Sequence, residues 1–109
     1  MKSLNEKLTG FSTELASVGE HVYHYTKSIN SGYPYIVWAE QGESDGFHSD
    51  NRKSEQTISV TVDLYTRSEF DPLVDQVQSL LNEKSRWRLN SVQYEDETTL
   101  IHYEWECEL

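Results

Sequence analysis

The last nine residues of the chain, Ile101 to Leu109, alternate without a break. Ile101, Tyr103, Trp105, Cys107 and Leu109 are apolar, and His102, Glu104, Glu106 and Glu108 between them are polar, three of them acidic. A period of two exists only on a β-strand, where successive side chains point to opposite faces. The chain must therefore build a sheet with one packed face and one wet face. Ile58 to Tyr65 repeats the signal, with Ile58, Val60, Val62 and Leu64 on one side and Ser59, Thr61 and Asp63 on the other.

Two segments carry the other period. Leu4, Leu8, Phe11, Leu15 and Val18 recur at spacings of four and three, which predicts a helix over 4–17. Ser3 with Glu6 reads as a capping box at its start and Gly19 as its stop. Asp71 followed by Pro72 reads as an N-cap with proline at the first helical position. Leu73, Val74, Val77, Leu80 and Leu81 give that second helix its stripe, over 72–83.

Three further strands are expected. Val22 to Tyr25 is a short one, and Tyr35 to Glu40, entered through Tyr33-Pro34, should form a hairpin with it. Leu89 to Tyr94 should pair with Thr99 to Glu108 across the acidic turn Glu95-Asp96-Glu97. The order helix, three strands, helix, two strands predicts an α+β domain. Its mainly antiparallel sheet would carry two helices on one face. Between the second and third strands, Gly42 to Gln56 reads as a long exposed loop with Phe47 as its one apolar residue. That makes Phe47, with His48, Arg52 and Lys53, the candidate assembly loop.

At 109 residues the chain is expected to be one domain, 1–109. A hydrophobic fraction of 36 % is low, but three Trp and seven Tyr bring large buried area per side chain. A net charge of −10 argues against binding DNA, RNA or an anionic membrane, which a basic patch would be needed to hold. The local cluster Lys84 to Arg88 is weighed as a phosphate site and set aside as charge answering the dipole of the preceding helix. The single Cys107 leaves no intrachain disulfide, and residues 1–18 read as neither a signal peptide nor a membrane span, so a cytoplasmic setting is expected.

No catalytic constellation, cofactor site or metal site is expected. His21 and His24 lack a third ligand nearby. Asp45, His48 and Asp50 do not meet calcium-loop spacing, and Cys107 falls on the apolar side of its strand. Tyr33, Tyr35, Trp38 and Trp105 are weighed as a stacking platform for sugar or bases against core and cross-strand packing, which is favoured. The row His102, Glu104, Glu106 and Glu108 has two readings. It is a charged strand that keeps a sheet edge soluble, or a surface facing a passage or partner.

The ordered pieces resemble the small tail-completion or tail-terminator proteins of long-tailed bacteriophages and prophages, including the tail-to-head joining type. The segment 33–38, Tyr-Pro-Tyr-Ile-Val-Trp, looks like that family's proline-entered second strand. The segments 61–66 and 70–75 look like its third strand and the start of its second helix. Asn90 to Tyr94 and Ile101 to Trp105 look like its closing hairpin. The resemblance implies a structural, non-enzymatic homo-oligomer, a hexameric ring without cofactor that caps the tail tube and joins it to the head-tail connector protein. It would act in the neck of a virion assembled in a bacterial cytoplasm.

In such a ring Glu95, Asp96, Glu97, Glu104, Glu106 and Glu108 are the candidate channel-facing acids, which would let DNA slide past without sticking. Six copies at −10 each would carry about −60, felt over a screening length of about 8 Å. The alternatives are a head-completion adaptor or minor capsid protein, and a small acidic inhibitor that mimics DNA.

Overall fold

A computed structural model describes residues 2–44, 56–84 and 86–109. The predicted order α-β-β-β-α-β-β is the observed one: α1 (Leu4–Val18), β1 (Val22–His24), β2 (Tyr35–Glu43), β3 (Ile58–Thr66), α2 (Pro72–Leu81), β4 (Trp87–Glu95) and β5 (Leu100–Glu108). The strands form one sheet in the order β1-β2-β3-β5-β4. The fold is α+β, with every pairing antiparallel except that of β1 with β2.

That exception corrects the expected hairpin. Val22 to His24 run parallel to Ile36 to Trp38. The connection between them is too long for a tight turn and carries the chain back to the start of β2. It includes a cis Tyr33–Pro34 bond. Tyr25 leaves β1 with φ of 76°, its N–H donating to Trp38 O at 2.9 Å, so the strand ends one residue before the predicted Tyr25.

Both helices lie on one face. Phe11 and Leu15 of α1 and Leu73, Val77 and Leu81 of α2 join Ile36, Trp38, Ile58, Val60, Val62, Leu64, Trp105 and Cys107 in one buried cluster. Trp105 is fully buried, and its indole N–H donates to Gln78 Oε1 at 3.1 Å, so the large ring enters the core with its polar atom satisfied. Phe11 meets Trp38 edge-on, with ring centroids 5.4 Å apart.

The helix starts are set as their sequences predict. Ser3 Oγ accepts from Glu6 N at 3.1 Å while Glu6 Oε1 accepts from Ser3 N at 3.2 Å, a closed capping box. Asp71 accepts from Leu73 N at 2.9 Å through one oxygen and from the buried Thr66 hydroxyl at 2.6 Å through the other, tying the start of α2 to the end of β3. Gly19 ends α1 with an extended backbone, not a left-handed one. Its φ is −124°, and its N–H donates to Leu15 O at 3.2 Å.

Strand β2 runs further than expected, through a bulge between Glu40 and Gly42 where Gly42 adopts φ of 143°. The predicted loop therefore begins after Glu43. Ser44 N donates to Thr57 O at 3.0 Å and brings its two ends together. Phe47, His48, Arg52 and Lys53 lie outside the described residues.

Candidate functional site

The face of the sheet opposite the helices is where the polar residues of β3 and β5 meet. Asp63 stands opposite Glu104 and Thr61 opposite Glu106, while β4 sets Ser91 against Glu104 and Arg88 against Glu106. Strand β5 is thus flanked on both sides. Its acidic row cannot be explained as protection of a sheet edge, because β5 lies inside the sheet and the edges are β1 and β4.

Like charges directly opposite each other destabilise a sheet, and three of the four acids here have a compensating neighbour. His102 Nε2 sits 2.7 Å from Asp63 Oδ1, Ser91 Oγ donates to Glu104 Oε1 at 3.5 Å, and Arg86 Nη1 lies 3.6 Å from Glu108 Oε1. All three glutamates remain half-buried, turned toward this open face. Glu95, Asp96 and Glu97 are brought elsewhere, to the exposed tip of the β4–β5 turn. The six candidate acids therefore fall into two groups, a row on the sheet and a cluster at its end.

An aromatic row crosses the same face. Tyr35 stacks on Tyr65 with centroids 4.8 Å apart, Tyr65 stacks on His102 at 4.2 Å, and Tyr33 leans on Tyr35 at 5.4 Å. The Arg67 guanidinium lies 4.4 Å above Tyr33, a cation–π contact that closes the row. Burial, reinforced by the neighbouring Tyr65, pushes the Tyr35 phenol up to about 12. Because these rings stack on one another, they are cross-strand packing. The four aromatics weighed as a platform are split, with Tyr33 and Tyr35 on this face and Trp38 and Trp105 buried on the other.

A second stack stands at the β1 edge. His24 lies between Tyr25 at 3.7 Å and Trp38 at 4.0 Å, and its Nε2 is 2.7 Å from Glu40 Oε1. The Tyr25 hydroxyl donates to the other Glu40 oxygen. Burial pushes the Glu40 carboxyl up, but the hydrogen bonds from Tyr25 and His24 outweigh it and hold it below the usual range. The Tyr25 phenol is raised in turn by its bond to Glu40. His24 is thus held by a carboxylate and two rings.

Cys107 is buried on the helix side, and desolvation pushes its thiol up to about 12, far from a thiolate at neutral pH. Among the described residues, no group of three or more His, Cys, Asp or Glu side chains is placed to hold a metal ion. An open depression of about 520 Å³ near the β4–β5 tip, lined by Arg67, Glu69, Tyr94, Thr99 and Ile101, offers one carboxylate and one guanidinium. No described helix is long and apolar enough to cross a membrane.

The basic cluster is drawn into ion pairs and does not gather. Lys84 Nζ reaches both oxygens of Glu14 at 2.9 and 3.0 Å and lies over the Phe11 ring, tying α1 to the chain beyond α2. The dipole reading is also corrected, since α2 ends at Leu81 with no basic residue in its last turn.

Exposed apolar side chains appear where the sequence reading did not seek them. Phe70, directly before the α2 cap, is 91 % exposed, and Leu89, Val92 and Tyr94 are exposed together along β4. The Phe70-Asp71-Pro72 order was a visible signal, since an N-cap places the preceding residue outside the helix. The β4 cluster needed the strand register. No family model and no curated protein sequence matches the chain.

Proposed function

We propose that this chain is a structural subunit of a long-tailed phage or prophage, forming a ring that terminates the tail tube and joins it to the head-tail connector. The observation that carries the reading is the open sheet face. Asp63, Glu104, Glu106 and Glu108 lie there on two adjacent strands, with both helices on the far side. A wall of this kind, repeated around a ring, would present carboxylates to passing DNA and repel its phosphates.

The observed α+β order is in keeping with the reading, since the resemblance rests in part on that order of helices and strands. So does the solvent-facing tip of Glu95, Asp96 and Glu97, a second acidic element able to face the passage. The subunit would act without a cofactor, and its partners would be further copies, the tube protein and the connector.

Disruption of the gene in the parent phage, followed by electron microscopy of the lysate, tests this. Overlong or unattached tails beside filled heads are expected. Normal-length tails with leaking heads would move the protein to the head side of the neck as an adaptor or minor capsid component. Intact virions would remove the assembly reading and favour an acidic inhibitor. Within the ring reading, reversing Glu104, Glu106 and Glu108 to lysine should slow DNA ejection and lower infectivity. Unchanged infectivity would mean that this face does not line the passage.

A further inference from the structure

Strand β4 is the long edge of the sheet, nine residues against the three of β1. Natural sheets blunt such edges with charge, proline, bulges or very short strands. This one carries Arg88 and a bulge, yet it also leaves large apolar side chains in water. Leu89, Val92 and Tyr94 are 42 %, 51 % and 60 % exposed along it.

In an uninterrupted strand Leu89 and Val92, three apart, would point to opposite faces. A register shift between Leu89 and Ser91, with Asn90 as the extra residue, brings them to the same one. Trp87 stands opposite Cys107, Leu89 opposite Trp105, Val92 opposite Tyr103 and Tyr94 opposite Ile101, all on the helix side. Arg88, Ser91 and Gln93 stand opposite Glu106, Glu104 and His102 on the open side.

The bulge makes the strand read the same in both directions about the Asn90–Ser91 step. Moving outward from that step, the pairs are Asn90 with Ser91, Leu89 with Val92, Arg88 with Gln93, Trp87 with Tyr94 and Arg86 with Glu95. Each pair matches in face and character, and the outermost is opposite in charge. Shifting the pairing by two residues either way sets polar Asn90 or Ser91 against Leu89 or Val92. Only one register satisfies every position.

We propose that a second copy of this chain docks on β4, antiparallel and about a two-fold axis through the Asn90–Ser91 step, joining two sheets into one. A pattern that is self-complementary under reversal is what an isologous interface requires, because each residue contacts its mate twice, once in each copy. Charge points to the same place. Within a chain of net −10, residues 86–94 hold two arginines and no carboxylate, so two copies meet there without acid against acid. Main-chain hydrogen bonds along the edge supply affinity, and the Arg86–Glu95 pairs at both ends fix the register. The inference rests on β4 alone and does not depend on the ring reading.

One strand pair makes a small interface, at or below about 1,200 Å², so association should be weak and concentration-dependent. Sedimentation velocity of the full chain from about 1 μM to about 1 mM reads it directly. A monomer–dimer equilibrium is expected. Val92→Lys, at a position already exposed, should weaken it about tenfold or more by setting a charge against Leu89 of the second copy. Arg86→Glu and Glu95→Arg should each weaken it by up to about tenfold, and the two together should restore it.

Circular dichroism and denaturation should find all four variants folded like the original. A chain that stays monomeric throughout would overturn the proposal. So would a dimer indifferent to Val92→Lys, or a hexamer in solution, although a hexamer would leave the ring reading standing. Two weakened single variants without rescue in the double would overturn the register.

Discussion

On the helix side of the sheet Val60, Val62, Leu64, Trp105 and Cys107 are buried beneath α1 and α2. On the opposite side Ser59, Thr61, Asp63, Glu104 and Glu106, drawn from the same two strands, stay half-buried. The helix side is one continuous apolar cluster. The open side is a mosaic, dry at Tyr35, which stacks in a row with Tyr65 and His102, and half-buried where the carboxylates run. Strand period alone decides which residues reach which face, but it does not decide how dry a face becomes. Cross-strand neighbours do, and they put a patch of near-core character on the side that no described helix covers.

The largest effect that probes this contrast is Trp105→Ala. It empties a fully enclosed site and orphans the Gln78 carbonyl, and should cost about 3–5 kcal/mol in urea denaturation. Glu106→Gln, the next residue on the other face, should stay within about 0.5 kcal/mol. Comparable losses from the two would mean that the open face is covered in the folded protein, and would break the comparison.

His102→Ala sharpens it. Removing the imidazole takes away the Tyr65 stack and leaves Asp63 facing Glu104 without its 2.7 Å partner, for an expected loss of about 1–2 kcal/mol. That sits between the core and a solvated surface. A change no larger than that of Glu106→Gln would reduce the aromatic row to decoration on a wet face.

Much of this division was legible beforehand. The alternation in Ile58–Leu64 and Ile101–Leu109 placed every one of those side chains on its observed face, and Ser3 and Asp71 set the helix starts, because strand parity and caps are local. What escaped depends on pairing. The parallel entry of β1 beside β2 looked like a hairpin because the two strands are consecutive, although the stretch between them is too long for a tight turn. The stacking of Tyr35, Tyr65 and His102 draws on residues 30 and 37 positions apart, so only the register reveals it. For the same reason β5 was open to misreading as an edge. Its place inside the sheet follows from β3 crossing to it past α2, which no window along the chain contains. Of the candidate site, Glu104, Glu106 and Glu108 were legible as one face, whereas their separation from Glu95, Asp96 and Glu97 was not.

The effect that is smallest at neutral pH, where it is absent, emerges only in alkali, and it asks whether the dry patch of the open face behaves like core. Cys107 on the helix side and Tyr35 on the open side are both pushed by burial to about 12, from ordinary values of 9.0 and 10.0. For a group whose folded pKa is raised, the folded state holds the proton longer than the unfolded one. Stability is therefore unaffected below the unfolded value and falls as pH climbs between the two. Stability should thus begin to drop above about pH 9 as unfolded Cys107 ionises, and steepen above about pH 10 as Tyr35 joins it. Cys107→Val should remove the first part and Tyr35→Phe should reduce the second, which the Tyr65 phenol, also raised by burial, shares; each has little effect at pH 7, measured by denaturant titration at stepped pH. If Tyr35→Phe left the alkaline slope unchanged while Cys107→Val flattened it, only the helix side would be dry, and the stacked row would be open to water like the carboxylates beside it.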